Sequence, residues 1–355
     1  MIVRNNCLHF RGDLPCKPHK NNNKLHCENC PQFVKISKQI LIIKLGAAGD
    51  VIRTTPILHR IRKDFPNAEI TWLTLTPVLV PKNYVDSILK WSIENILFLQ
   101  NRNFDILYNL DKDKHAIGLA KSINAEKKIG YLMDEYGKCK PANSDSESKW
   151  LTGLFDDICM NNKKSYPQEI LEVCGYDFNM EKYILQLPES DLLFDLPENK
   201  QIIGLNTGCG TRWLTRLWGA ENWKHLSEIL YSNGYIPLLL GGPVEDSLNR
   251  EIAENSPAIY KGYFELSDFL NLCNHCDLIV TSVTMTMHIA IGLEKKIVLL
   301  NNIFNKYEFE LYGLGEILEP ENKDCLGCYK NSCTENCMPS IPPNLIFKTI
   351  ENLLK

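Results

Sequence analysis

The sequence predicts an α/β protein built from two Rossmann-like, doubly wound parallel-sheet domains. Three observations carry that expectation. Short apolar runs at residues 40–43, 202–205, 236–240 and 297–300 suit parallel strands buried on both faces. Helical patterns alternate with those strands along the chain. A polar stretch ending in DLPENK, at about 186–200, interrupts the alternation, and the same βα pattern then restarts. The expected organisation is a cysteine-rich segment at 1–38, a first domain at 39–190 and a second at 191–355.

The first domain opens with the strand at 39–45 and a helical pattern through Val51, Ile52, Ile57, Leu58 and Ile61. Strands follow at 69–74, 96–99, 105–110 and 128–131, with a helix at 116–123. Residues 134–149 are polar and turn-rich and read as a loop, and 151–175 read as helical with Pro167 interrupting. In the second domain, strands are expected at 202–205, 236–240, 277–281 and, as the last, 296–300. Helices are expected at about 221–233, 245–255, 266–273, from His288 onward, and 344–354.

With 44% hydrophobic and 23% charged residues, the 355-residue chain has ordinary globular composition, sufficient for two domains. A net charge of −4 argues against a nucleic-acid partner, which a basic face would serve. No apolar run approaches the roughly 18 residues of a membrane span. The start, MIVRNNCLHFRGD, lacks the apolar core of a signal peptide, so a cytoplasmic location is expected, with peripheral contact at the inner face of the cytoplasmic membrane left open.

Residues 39–56 read QILIIKLGAAGDVIRTTP. Gly46, Ala47, Ala48 and Gly49 leave little side-chain bulk, and Asp50 follows at a helix start. A carboxylate thus stands at the carboxyl end of a strand, the edge where open α/β sheets bind ligands. Small residues admit close approach to the backbone, and the helix start adds unpaired N–H groups. The spacing fits neither a P-loop nor the G-x-G-x-x-G fingerprint. Two readings of Asp50 stand at this point: a helix N-cap, or a general base. Asp111, Lys112 and Asp113 lie just past another strand, again at a carboxyl end.

Four stretches occur in a telling order: ILIIKLGAAGDVIRTTP, the glycine-rich loop that ends in Arg216-Leu217-Trp218, LLLGGPVED, and DLIVTSVTMTMHIAIGL. Over about residues 39–303 the chain resembles bacterial ADP-heptose:lipopolysaccharide heptosyltransferases, glycosyltransferase family 9. The resemblance implies a glycosyltransferase B architecture, with acceptor on the first domain and nucleotide sugar on the second. It implies inversion at the anomeric carbon without a catalytic metal. Asp50 matches the family's aspartate and would deprotonate the acceptor hydroxyl; Gly49, Arg53 and Asp111 fall on the acceptor side. Thr207, Gly208, Gly210 and Thr211 match the phosphate-facing loop, and Arg216 stands where the family usually has Lys. Arg212 is a second cation, and a guanidinium can grip two phosphate oxygens. Glu245 matches a nucleoside-contacting acid. Thr284 and His288 match the family's next motif, but Val283 and Met285 replace its Asp and Gly. Trp213 and Trp218 read as packing residues.

The activity so implied is transfer of a heptose, or a related sugar, from an ADP-sugar such as ADP-heptose to a cell-envelope glycan or glycolipid such as lipopolysaccharide core. Protein O-heptosylation is an alternative acceptor reading. A metal-binding regulatory or redox protein on the same scaffold is an alternative of another class.

Eight of the fourteen cysteines cluster: Cys7, Cys16, Cys27 and Cys30, then Cys325, Cys328, Cys333 and Cys337. In a reducing compartment such clusters suggest metal before disulfides. A structural zinc or iron is expected, at one site or two.

Overall fold

The structure, a computed structural model, describes residues 1–197, 199–321 and 324–355. In chain order the first elements are α1 (Lys17–Asn21), β1 (Gln39–Ile43), α2 (Ala48–Thr54), α3 (Ile57–Asp64), β2 (Glu69–Thr74), β3 (Ser87–Lys90), α4 (Ile93–Gln100), β4 (Asn103–Asn109), α5 (Lys114–Ser122), β5 (Asn124–Met133) and β6 (Cys139–Pro141). Three short helices follow: α6 (Glu147–Leu151), α7 (Asp156–Asn161) and α8 (Tyr166–Val173). The chain then continues through β7 (Ile202–Asn206), α9 (Ala220–Ser232), β8 (Ile236–Leu240), α10 (Asp246–Glu254), β9 (Ile259–Tyr260) and α11 (Leu266–Asn274). It closes with β10 (Leu278–Ser282), α12 (Met285–Gly292), β11 (Lys296–Leu300), β12 (Gly315–Leu318) and α13 (Pro343–Leu354).

The chain divides into two compact units. The first comprises Met1–Gly46, Pro56–Glu147 and Leu171–Tyr176. Its sheet has the order β3-β2-β1-β4-β5-β6, parallel except for β6 against β5. Leu41, Ile43, Leu73 and Leu107 pack against Ala116 and Leu119 of α5. Asp105 ties the start of β1 to β4, accepting from Lys38 Nζ at 2.8 Å and from Gln39 N at 2.6 Å. The cysteine-rich segment closes on itself through an antiparallel bridge, with Leu8 N donating to Val34 O and Ile36 N to Asn6 O. It meets the rest of this unit where Ser37 N donates to Asn67 O at 3.0 Å.

The second unit comprises Ala47–Thr55, Ser148–Ile170 and Asp177–Lys355. Its parallel sheet has the order β12-β11-β10-β7-β8-β9. Its core joins Ile203, Leu205, Val280 and Val298 to Trp218, Trp223 and the α13 residues Ile346 and Ile350. Trp218 donates its indole N–H to Ile341 O at 2.9 Å and meets Trp223 edge to face, so it is a packing residue as expected. Among the described residues no helix is long and apolar enough to cross a membrane.

The two parallel α/β sheets match the expected fold class, but the compact units do not follow the boundaries at 38 and 190. The reason is α2. This helix packs against α12, and its small residues permit the approach. A Cβ on Gly49 would stand 2.5 Å from the His288 ring, and one on Gly292 would stand 2.8 Å from Leu185. Neither helix can carry a larger residue there without moving its neighbour.

Local expectations fail in identifiable places. Residues 96–99 form part of helix α4, not a strand. Ser92 caps it by accepting from Asn95 N at 3.3 Å, and Leu97 and Phe98 stay about half exposed. An apolar run of four cannot by itself separate the two states. The true strand is β3, whose partly exposed residues gave no apolar signal. The 134–149 loop contains β6, and β11 is not the last strand, because β12 pairs beside it. Helix α12 begins at Met285, with Thr284 in the N-cap position, so His288 sits in its second turn.

Replacing Gly49 by Ala should lower stability by about 1–3 kcal/mol through this overpacking. Urea unfolding of Gly49→Ala beside wild type measures it, and an unchanged midpoint would mean that α2 and α12 do not pack this closely.

Candidate functional site

The carboxyl ends of β7 and β10 build the floor of the site. Asn206, the last residue of β7, donates Nδ2 to Gly208 O at 3.1 Å and to Thr281 Oγ1 at 3.0 Å, and accepts from Thr286 Oγ1 at 3.0 Å. One buried amide therefore joins the glycine-rich loop to the turn before α12. The loop cannot carry bulk: Gly210 has φ +68°, and the Glu245 side chain fills the space a Cβ on Gly208 would need. The carboxylate of Glu245 is fixed in turn, accepting from Gly242 N at 2.9 Å.

These elements, with α2, enclose a cavity of about 680 Å³. Gly49, Asp50, Arg53, Gly208, Gly210, Arg216, Glu245, Thr284 and His288 all line it, so most of the expected site residues meet in one place within the second unit. Val244, Phe264 and Phe269 add an apolar wall beside Glu245. Three donor-side expectations lie elsewhere. Thr207 is buried and donates to Asn249 Oδ1 at 2.6 Å, while Thr211 and Arg212 are exposed and do not line the cavity. Asp111 belongs to the first unit. It accepts from Leu45 N at 3.0 Å and Gly46 N at 3.2 Å and lies 3.6 Å from Lys44 Nζ, bracing the turn after β1.

Asp50 is not the N-cap of α2. Ala47 holds that position, and Asp50 is an acid of the first turn, where the helix dipole favours it. Its Oδ1 receives Arg53 Nε at 2.9 Å and Nη2 at 2.8 Å. The other end of the same guanidinium donates Nη1 to Glu308 Oε1 at 2.7 Å. Arg53 lies over the Tyr166 ring, 3.6 Å from its centroid. Burial works to lower the proton affinity of Arg53, but Asp50 and Glu308 outweigh it and hold the group further up.

Arg216 differs in kind. It is buried, and its guanidinium donates to the backbone carbonyls of Val283, Cys209 and Trp213. Among the described residues no carboxylate pairs with it, and burial lowers its proton affinity from the ordinary guanidinium range. A buried cation held only by neutral acceptors leaves charge for an incoming anion.

His288 is neutral. Burial, with Arg53 adding to it and Asp50 opposing, pushes the imidazole down to about 3. Tyr183 OH lies 3.4 Å from its Nδ1. It can therefore offer a ligand a hydrogen bond but no charge.

Sequence reasoning missed Asn206 as a brace and Glu308 as a cavity carboxylate. Asn206 was visible as a polar end to an apolar strand. Glu308 lies after the resemblance ends, in a short turn that begins at Asn305, and it had no such signal.

All fourteen cysteines are free thiols. Cys7, Cys16, Cys27 and Cys30 line one cavity of about 190 Å³ in the first unit, with His9, His19 and His26 beside them. Cys325 and Cys333 are exposed, and Cys337 Sγ accepts from Asn302 Nδ2 at 3.4 Å. Among the described residues no three His, Cys, Asp or Glu side chains are placed to hold a metal ion as they stand.

The His288 environment has a measurable consequence. Its folded value, about 3, lies below the ordinary 6.5 of an unfolded histidine. Between those limits the unfolded chain takes a proton that the folded one refuses. The stability from this group is full above pH 6.5 and declines as pH falls, by at most about 1.4 kcal/mol per pH unit. Urea unfolding should show a shallower decline for His288→Gln than for wild type between about pH 6.5 and 5. Equal slopes would mean that His288 is not buried neutral.

Comparison with known proteins places the chain. The profile described as glycosyltransferase family 9 (heptosyltransferase) matches residues 160–337, half of the chain, and leaves Asp50 outside the match. The lipopolysaccharide core heptosyltransferase OpsX of Haemophilus influenzae is 27% identical over 116 residues, covering 28% of this chain. The match spans about a third, 32%, of the length of that curated relative. A glycosyl transferase family 9 structure from Veillonella parvula superposes with a TM-score of 0.70 at 21% identity, covering 90% of this chain and 97% of its own. The E. coli heptosyltransferase WaaC with ADP gives a TM-score of 0.64 at 14% identity, covering 89% and 99%. The structural likenesses establish the glycosyltransferase B type fold, and on the sequence profile the chain belongs to glycosyltransferase family 9.

Proposed function

We propose that this protein is an inverting glycosyltransferase that moves a heptose or related sugar from an ADP-sugar to a cell-envelope glycan. The observation that carries the reading is the buried Arg216, held by backbone carbonyls and without a carboxylate partner among the described residues, lining the same cavity as Asp50. The family match and the E. coli relative crystallised with ADP support an ADP-sugar.

The chemistry follows from charge. Asp50 takes the proton of the acceptor hydroxyl as its oxygen attacks the anomeric carbon. The bond from that carbon to the nucleoside diphosphate breaks on the opposite face, inverting the centre. Negative charge grows on the departing phosphate, and fixed donors meet it with no reorganisation. Arg216 supplies the cation, and the glycine-rich loop and the N-terminus of α12 supply backbone N–H groups. The apolar wall of Val244 and Phe264 suits a nucleobase, with Glu245 beside it for ribose hydroxyls. A glycolipid acceptor would bring the enzyme to the inner face of the cytoplasmic membrane.

The four N-terminal thiols support a structural zinc or iron at Cys7, Cys16, Cys27 and Cys30, since they share one cavity. Binding would turn those side chains toward one another. Elemental analysis of the purified protein should find one equivalent, and chelation should lower the melting temperature. The C-terminal cysteines would hold a second ion only if the count is two.

A nucleotide-sugar screen by thermal shift tests the donor. ADP-sugars should stabilise the fold, by about 2.7 kcal/mol at a hundredfold excess over Kd, and UDP- and GDP-sugars should not. Asp50→Asn should bind donor normally yet lose about 10²- to 10⁴-fold in transfer, measured with lipid-linked core oligosaccharide and with a protein acceptor side by side. Normal turnover by that variant would remove Asp50 from the mechanism. Arg216→Met should lose most of the donor-induced shift.

A further inference from the structure

Asp50 does not face the reaction alone. Its partner Arg53 is shared with a second carboxylate, and the sharing is geometrically defined. Nε and Nη2 converge on Asp50 Oδ1, at 2.9 and 2.8 Å, while Nη1 reaches Glu308 Oε1 at 2.7 Å. The guanidinium is clamped in this orientation by stacking on Tyr166. Both carboxylates line the cavity, and all three side chains are largely withdrawn from water, with 31%, 13% and 20% of Asp50, Arg53 and Glu308 exposed. At such burial the charges are poorly screened.

The other charged and titratable groups around these three are engaged differently. Lys149 lies 4.9 Å from the centroid of the Tyr166 ring and is paired with Glu169 at 2.6 Å. Burial works to lower its proton affinity, with the nearby Arg53 adding to it, but the charges of Glu169 and Glu308 outweigh both and raise it. His288 is neutral, and Tyr183, beside it, is held in its phenol form by burial. Arg216 and Glu245 line the same cavity.

We propose that Glu308 is a positioning residue for the transfer reaction, a counter-carboxylate that draws part of the Arg53 charge away from Asp50 and so keeps Asp50 a competent proton acceptor. The inference rests on the proposed role of Asp50 as general base. An aspartate paired with an undivided guanidinium is a weaker base, because the cation stabilises the anion that must accept the proton. Division of the guanidinium keeps Asp50 fixed by two hydrogen bonds without the full penalty. Glu308 also places a like charge across Arg53 from Asp50, which acts in the same direction.

Two variants of opposite sign test this. Glu308→Gln preserves shape and removes charge. Its acid limb in kcat/KM should move to lower pH by about one unit, with the plateau several-fold lower. Arg53→Gln should move the limb upward. Glu308→Asp should stay near wild type, and Glu308→Ser serves as the charge-removing variant if Glu308→Gln does not fold. A readout independent of turnover is the ¹³C titration of the Asp50 carboxyl in protein labelled at aspartate Cγ, assigned by its loss in Asp50→Asn. An Asp50 midpoint that is unmoved or raised when Glu308 loses its charge overturns the inference, even with transfer activity intact. If wild type transfers from no nucleotide sugar, the proposed function falls, and the carboxyl titration alone decides whether Glu308 sets the strength of Asp50.

Discussion

The contact between Gly49 and the His288 ring is the constraint on which the site depends. It lets α2 lie on α12 closely enough for Asp50 and Arg53 to reach a cavity otherwise built from the edge of the second sheet. A side chain at residue 49 would hold the helices apart. It would also admit water to His288, whose neutrality follows from burial. Steric permission at one glycine therefore underlies both the placement of the acid and the state of the imidazole.

A second layer of order comes from buried polar groups that hold loops instead of ligands. Asn206 joins the glycine-rich loop to the turn before α12, Thr207 is spent on Asn249, and Asp111 braces the turn after β1. Such groups must be satisfied internally, and once satisfied they fix the backbone around them. Their cost in substrate contacts is small, because the loop amides and Arg216 remain to face the cavity. The division of labour is between side chains that shape the site and a few charges that work in it.

Much of this was legible in the sequence. Continuous apolar runs marked the buried strands β1, β7, β8, β10 and β11, since burial on both faces leaves no other pattern. Asp50 was marked by its place after a strand end and a run of small residues. The glycine-rich loop, Arg216, Glu245 and His288 were expected only through the family resemblance; the structure puts all of them on one cavity. What the sequence hid was tertiary. The edge strands β3 and β12 are partly exposed and carry no apolar signature. Helix α4 was settled by a serine cap that an apolar run conceals. Glu308 gains its place from three-dimensional proximity to Arg53, 255 positions earlier, and no local pattern encodes that. The expected roles of Thr207 and Asp111 met competing buried partners, which spacing cannot reveal.

The assignment of Ala47–Thr55 to the second unit bears on how this molecule can be dissected. Cutting the gene at the acidic linker would separate α2 from the surface it covers. The back half would then be made with Met285, Gly292 and the His288 ring bare, and the front half with an orphan helical turn carrying the acid. Expression of either piece should yield aggregation-prone material, and only co-expression of both fragments, or a permuted chain that keeps α2 beside α12, would restore a working whole.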